Sequence, residues 1–103
     1  MQNVIEKLMA IDGVTAAAVV NAANGMTLVK AGGMVNLDIA GAACTELLRA
    51  AVKTMKVVGN AQPIEDLLLV AGNQYHLIQP ITARPNHFVY TPPTSQSEIP
   101  LDQ

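Results

Sequence analysis

The stretch Asp38–Val58 reads as one long helix that is apolar around too much of its circumference. At about 100° per residue, with Ala40 as origin, residues Ala40, Ala43, Cys44, Leu47, Leu48, Ala51, Val52, Met55 and Val58 fill one side. Ile39, Ala50 and Val57 extend that side, and Asp38, Thr45, Glu46, Arg49, Lys53 and Lys56 are confined to a narrow wedge. The apolar arc covers roughly 220°, whereas a surface helix facing one core needs only ~100°. Such a helix fills its own core with one flank and leaves the excess for a second surface. Association with other proteins is therefore the first expectation.

The rest of the composition agrees. A chain of 103 residues is one domain, and 50% hydrophobic with 14% charged residues is too apolar for disorder. That charge is low for a free-standing surface, which again points to area hidden in an assembly. The net charge of −2, six dispersed cations and three aromatics argue against a nucleic-acid partner. Cys44 is the single cysteine, so no internal disulfide is possible and a reducing compartment fits. Met1–Ala10 carries Glu6 and Lys7 and lacks the apolar segment of a signal peptide, and no run approaches the ~20 residues that span a membrane. The expectation is a cytoplasmic protein without a membrane partner.

Along the chain, Val4, Ile5, Leu8, Met9 and Ile11 recur at helical spacing, giving a short amphipathic helix over Gln2–Ile11 with Asn3 as its cap and Asp12-Gly13 as its end. Val14–Asn21 and Met26–Ala31 read as strands joined through Ala23-Asn24-Gly25. Gly32-Gly33 breaks the chain before the long helix, which either Asn36 or Asp38 can cap and Gly59-Asn60 ends, with Pro63 following. The unbroken apolar run in Ile64–Ala71 is expected as a strand buried on both faces. Gln74–Thr82 and His87–Thr91 complete a series of antiparallel strands. From Pro92 a Pro/Ser-rich tail, 92–103, begins, leaving 1–91 as the folded domain. The order helix, hairpin, long helix, three strands predicts an α+β sandwich, one antiparallel sheet with helices on its faces.

Chemistry is sparsely represented. His76 and His87 fall on different strands without metal-ligand spacing. Cys44 lies between Ala40 and Leu48 on the core-facing arc and reads as an inert core thiol. Glu65 and Asp66, as adjacent strand residues, point to opposite faces and cannot share a site. The glycines match no phosphate-loop pattern, and Gly41 inside the helix is read as permitting close helix–helix approach. No nucleophile–base pair, metal cluster or cofactor motif is present, so a catalytic site, a metal and a cofactor are all expected to be absent.

Two surfaces carry the interaction hypothesis. One is the excess helix face, Ile39, Ala43, Ala50 and Val57 bordered by Glu46 and Lys53, which this chain's own N-terminal helix or tail, or a second protein, must cover. The other is the strand Ile64–Ala71, represented by Asp66, Leu68 and Val70. At a sheet edge its free N–H and C=O groups would pair with a second copy; in a central position they would be satisfied internally.

The chain resembles the Roadblock/dynein light-chain family from about Val4 to Tyr90. The resemblance rests on Ile11-Asp12-Gly13-Val14, the Asn24-Gly25 hairpin, the alanine-rich helix ending near Gly59, Glu65-Asp66-Leu67-Leu68-Leu69-Val70, Tyr75-His76-Leu77-Ile78-Gln79-Pro80-Ile81 and Pro85-Asn86-His87-Phe88-Val89-Tyr90. It implies a five-stranded antiparallel sheet with the long helix on one face and the short N-terminal helix on the other, a profilin-like sandwich. It further implies homodimers formed through the long helix and the Ile64–Ala71 strand. The implied role is non-enzymatic: a bacterial adaptor that binds and regulates a Ras-like small GTPase, similar to the gliding-motility GTPase partner, or alternatively a structural scaffold subunit of the light-chain kind. A small-molecule sensor on the same sandwich is the alternative, and would need a cavity where alanines such as Ala16, Ala17, Ala18, Ala40 and Ala51 leave room. The family's usual C-terminal helix has no counterpart, since Thr91-Pro92-Pro93-Thr94-Ser95 stands where it would start.

Overall fold

The computed structural model describes residues 2–11, 14–32, 36–72 and 74–93. In chain order it contains α1 (Gln2–Met9), β1 (Ala16–Asn21), β2 (Met26–Gly32), α2 (Leu37–Val57), β3 (Leu67–Ala71), β4 (Gln74–Pro80) and β5 (His87–Thr91). The strands form one antiparallel sheet in the order β2-β1-β5-β4-β3. The expected α+β class holds, with a helix on each face.

The central strand β1 shows why. Its three alanines are fully buried, and their side chains alternate between the two faces. Ala18 and Val20 join Leu37, Leu48, Ile78, Phe88 and Tyr90 beneath α2. Ala17 and Val19 join Ile5 and Val89 beneath α1. Alanine is a weak strand former, but small side chains let both helices approach the sheet where strand burial is complete.

The long helix is capped by Asn36, whose side-chain oxygen accepts from the N–H groups of Asp38 and Ile39 at 3.1 Å; Asp38 instead pairs with Lys30. Gly59 takes φ 83° just past the last turn, the left-handed stop expected of it. Two readings of this helix are corrected. Thr45, placed in the polar wedge, is 1% exposed and belongs to the buried face. Its hydroxyl donates to the Gly41 carbonyl at 2.9 Å, which satisfies it without solvent. Gly41 faces the sheet rather than another helix: a Cβ there would lie 2.9 Å from both Val20 Cγ2 and Thr27 Oγ1.

Other boundaries shift by a residue or two, except at β3. The helix α1 already includes Asn3, so that residue does not cap it. Asp12-Gly13 and Gly33 lie outside the described residues, as does the tail beyond Pro93; Pro92, assigned to that tail, is buried. The segment Ile64–Asp66 is not strand, and β3 is an edge strand with most of its side chains exposed rather than one buried on both faces. An unbroken apolar run records that both faces of a strand are apolar, not that this chain covers them. No helix among the described residues is long and apolar enough to cross a membrane.

Candidate functional site

On α2 the buried residues Leu37, Gly41, Thr45 and Leu48 fix which side meets the sheet. At about 100° per residue, Ile39, Ala43, Ala50 and Val57 point almost directly away from that side. All four are exposed, Ile39 at 69% and Val57 at 80%. Glu46 and Lys53 border them and are exposed as well. The six helix positions singled out in the sequence therefore form one continuous stripe. Neither α1 nor any other described element covers it, because α1 packs on the opposite face against β1 and β2.

The flanks of the stripe differ. On one, Lys30 of β2 reaches Asp38 at 2.7 Å, and this hydrogen bond holds the Asp38 carboxyl below its usual range. On the other, Ala40, Cys44 and Leu47 pack against the cluster that takes in Ile64 and Leu67, the side of the fold where β3 lies. Burial pushes the Cys44 thiol up to about 11, so it is held as a neutral thiol, in line with the inert reading. Burial, with a smaller push from Cys44, raises Tyr90 to about 12. The Tyr90 hydroxyl shares a 2.8 Å hydrogen bond with His76 Nδ1, and the two rings stack nearly parallel.

The three strand positions do not join the helix stripe. Leu67 pairs with Ile78 and packs beneath α2. By alternation Leu69 and His76 share that face, while Leu68, Val70 and their register partners Leu77 and Tyr75 point to the α1 side. Asp66 lies in the irregular lead-in to β3, where the Gln79 side-chain amide donates to its carboxylate at 3.2 Å. The nine residues thus fall on two surfaces on opposite sides of the sheet, linked only by the backbone edge of β3. Leu69, between Leu68 and Val70, follows Leu67 onto the helix side of β3.

The two sheet edges are unlike. The β2 edge carries Lys30 and an irregularity where Leu28 is left unpaired between Val29 and Thr27. The β3 edge, Leu-Leu-Leu-Val-Ala, has neither charge, proline nor bulge, the devices that keep natural edges from pairing. His76 and His87, weighed as metal ligands, stand at opposite ends of the sheet by the β4–β5 register. Among the described residues there is no group of three or more His, Cys, Asp or Glu side chains placed to hold a metal.

The five-stranded sheet with one helix per face is the fold of the Roadblock/LC7 domain. Three solved structures establish this. The Roadblock/LC7 domain from Streptomyces avermitilis superposes with TM-score 0.76 at 12% identity, over 90% of this chain and 77% of that one. MglB from Myxococcus xanthus gives 0.73 at 12%, over 87% and 72%. The gliding protein MglB from Thermus thermophilus gives 0.74 at 13%, over 89% and 69%. No family model matches the sequence, and no curated protein matches it.

Proposed function

We propose that this chain is a non-enzymatic homodimeric adaptor that binds and regulates a Ras-like small GTPase. The observation that carries the reading is the bare apolar stripe of α2 on a fold whose β3 edge is equally unprotected. The stripe is self-complementary. Its members are symmetric about Leu48, so a second α2 laid antiparallel across it sets Ile39 on the partner's Val57, Ala43 beside the partner's Lys53, and Glu46 near the partner's Ala50. Glu46 then comes within a turn of the partner's Lys53, a pair of opposite charge at the border. Ala43 and Ala50 keep the helix axes close, and the Lys53 stem covers apolar surface while its ammonium stays in water. Pairing of β3 with a copy would be a second, separate contact, because the helix pair holds its two sheets apart; it would satisfy the edge N–H and C=O groups.

The GTPase partner rests on the sequence resemblance, with the likeness of the fold to the MglB structures beside it; a cytoplasmic location rests on the single cysteine. The test is binding of purified Ras-like GTPases from the same genome, each loaded with GDP or a non-hydrolysable GTP analogue. Nucleotide-dependent binding of one of them to the dimer supports the reading. Failure of all of them in both states refutes the GTPase part and leaves the dimer to be judged on its own.

A further inference from the structure

Under the loop between α2 and β3 lies a cleft of about 550 Å³, within the ~300–1,000 Å³ of typical ligand sites. It shares Val52, Pro63 and Ile64 with an adjoining hollow of about 310 Å³. These side chains and Leu48 make an apolar floor. Arg49 and His87 stand on the rim of the cleft and Lys56 on that of the hollow, and no carboxylate lines either.

The walls are fastened to one another by bonds outside the regular elements. Arg49 Nη2 donates to the carbonyls of Ala22 and Ala23 at 3.1 and 3.0 Å, tying α2 to the β1–β2 turn. The Ala22 N–H donates to the Asn86 carbonyl at 2.6 Å, tying that turn to the one between β4 and β5. His87 Nδ1–H donates to the Pro85 carbonyl at 2.8 Å, which fixes the ring against its own turn. Helix α2 and the two turns are therefore held to one another, and Ile64 of the covering loop packs against the core cluster. Arg49 Nη1 also donates to Glu46, which stands on the exposed side of the helix and not in the cleft. Three of the five guanidinium N–H groups are thus engaged and two remain for an acceptor.

We propose that this cleft binds a small organic carboxylate with an apolar body, the hydrocarbon resting on Leu48, Val52 and Ile64 and the acid group turned toward Arg49 and Lys56. A carboxylate gains charge-assisted bonds there, whereas a cation would meet two like charges with no acid in the lining. The site is independent of the GTPase reading and lies on the opposite side of α2 from Ala43 and Ala50. The alanine-rich heart of the sheet, where the sequence pointed for a cavity, is instead closed by full burial of Ala16, Ala17 and Ala18.

The test is amide-shift mapping by NMR with phenylbutyrate, phenylbutanol and phenylbutylamine as probes on the intact chain. Saturable shifts around Val52, Ile64 and His87 are expected, with the acid binding at least about tenfold tighter than the amine. Val52→Glu should reverse that order by placing an acid in the lining, Val52→Lys should keep it, and Ala43→Glu should leave it unchanged. No saturable shift at millimolar acid, equal affinity for acid and amine, or a Val52→Glu chain that binds like the parent would each overturn the proposal.

Discussion

Replacing Gly41 by alanine sets two effects of opposite sign against each other, and the structure decides between them. In an exposed helix interior the change stabilises by ~1 kcal/mol, because glycine has more backbone freedom to lose. Here the new methyl would lie 2.9 Å from Val20 Cγ2 and 2.9 Å from Thr27 Oγ1, well inside the ~3.5–4.0 Å at which carbon atoms attract. Neither neighbour yields easily. Val20 is fully buried in the central strand, and the Thr27 hydroxyl is engaged with the Leu37 carbonyl. Overpacking of this kind costs ~1–3 kcal/mol, so the net is a loss of about 1 kcal/mol and a midpoint lowered by roughly 4–8 °C. Thermal and urea denaturation of both proteins at one fixed concentration measures it, since a dimer's midpoint depends on concentration. A stabilised Gly41→Ala chain would show that α2 stands off the sheet. A midpoint lowered only at concentrations where the parent is dimeric would return Gly41 to the helix–helix role that its sequence position implied.

Other outcomes follow from the buried polar groups and the edge. With the thiol raised to about 11 from 9.0, its thiolate fraction at pH 8 is about 100-fold below that of a free cysteine; alkylation by iodoacetamide should be slowed to match and restored in urea. Both Cys44 and Tyr90 hold their protons more tightly folded than unfolded, so stability is present below pH 9 and falls as pH rises through 9 to 12. In denaturation series across pH, Cys44→Ala should remove the lower part of that fall and Tyr90→Phe the upper. Tyr90→Phe also gives up the bond to His76, a loss of about 0.5–1.5 kcal/mol at neutral pH by urea denaturation. Val70→Lys changes an exposed edge position; monomer stability should move by less than about 0.5 kcal/mol, while light scattering shows self-association through β3 reduced.

The elements were legible where local chemistry dictates them. Asn36, Gly59 and the Asn24-Gly25 turn mark their boundaries through the bonds and dihedral angles their side chains permit. The helix stripe was legible too, because an excess of apolar residues on a wheel is a statement about geometry alone. What the sequence did not disclose depends on contacts between distant segments. Thr45 looks solvent-facing by residue type and is buried because its hydroxyl closes on its own helix. The facing of Leu68 and Val70 hangs on the β3–β4 register, and Leu69 enters the helix side only once Leu67 is seen beneath α2. Arg49 as a clamp on the Ala22 and Ala23 carbonyls, and the cleft it borders, join residues far apart in the chain and leave no local signal.

The most direct test is absolute mass by light scattering after size exclusion, over a dilution series, for the parent chain and Ala43→Glu. A dimer that persists to low micromolar in the parent and is a folded monomer in the variant is expected, since a buried unpaired charge costs several kcal/mol. A monomeric parent, or a variant that stays dimeric, would contradict the assignment of the α2 stripe as the interface.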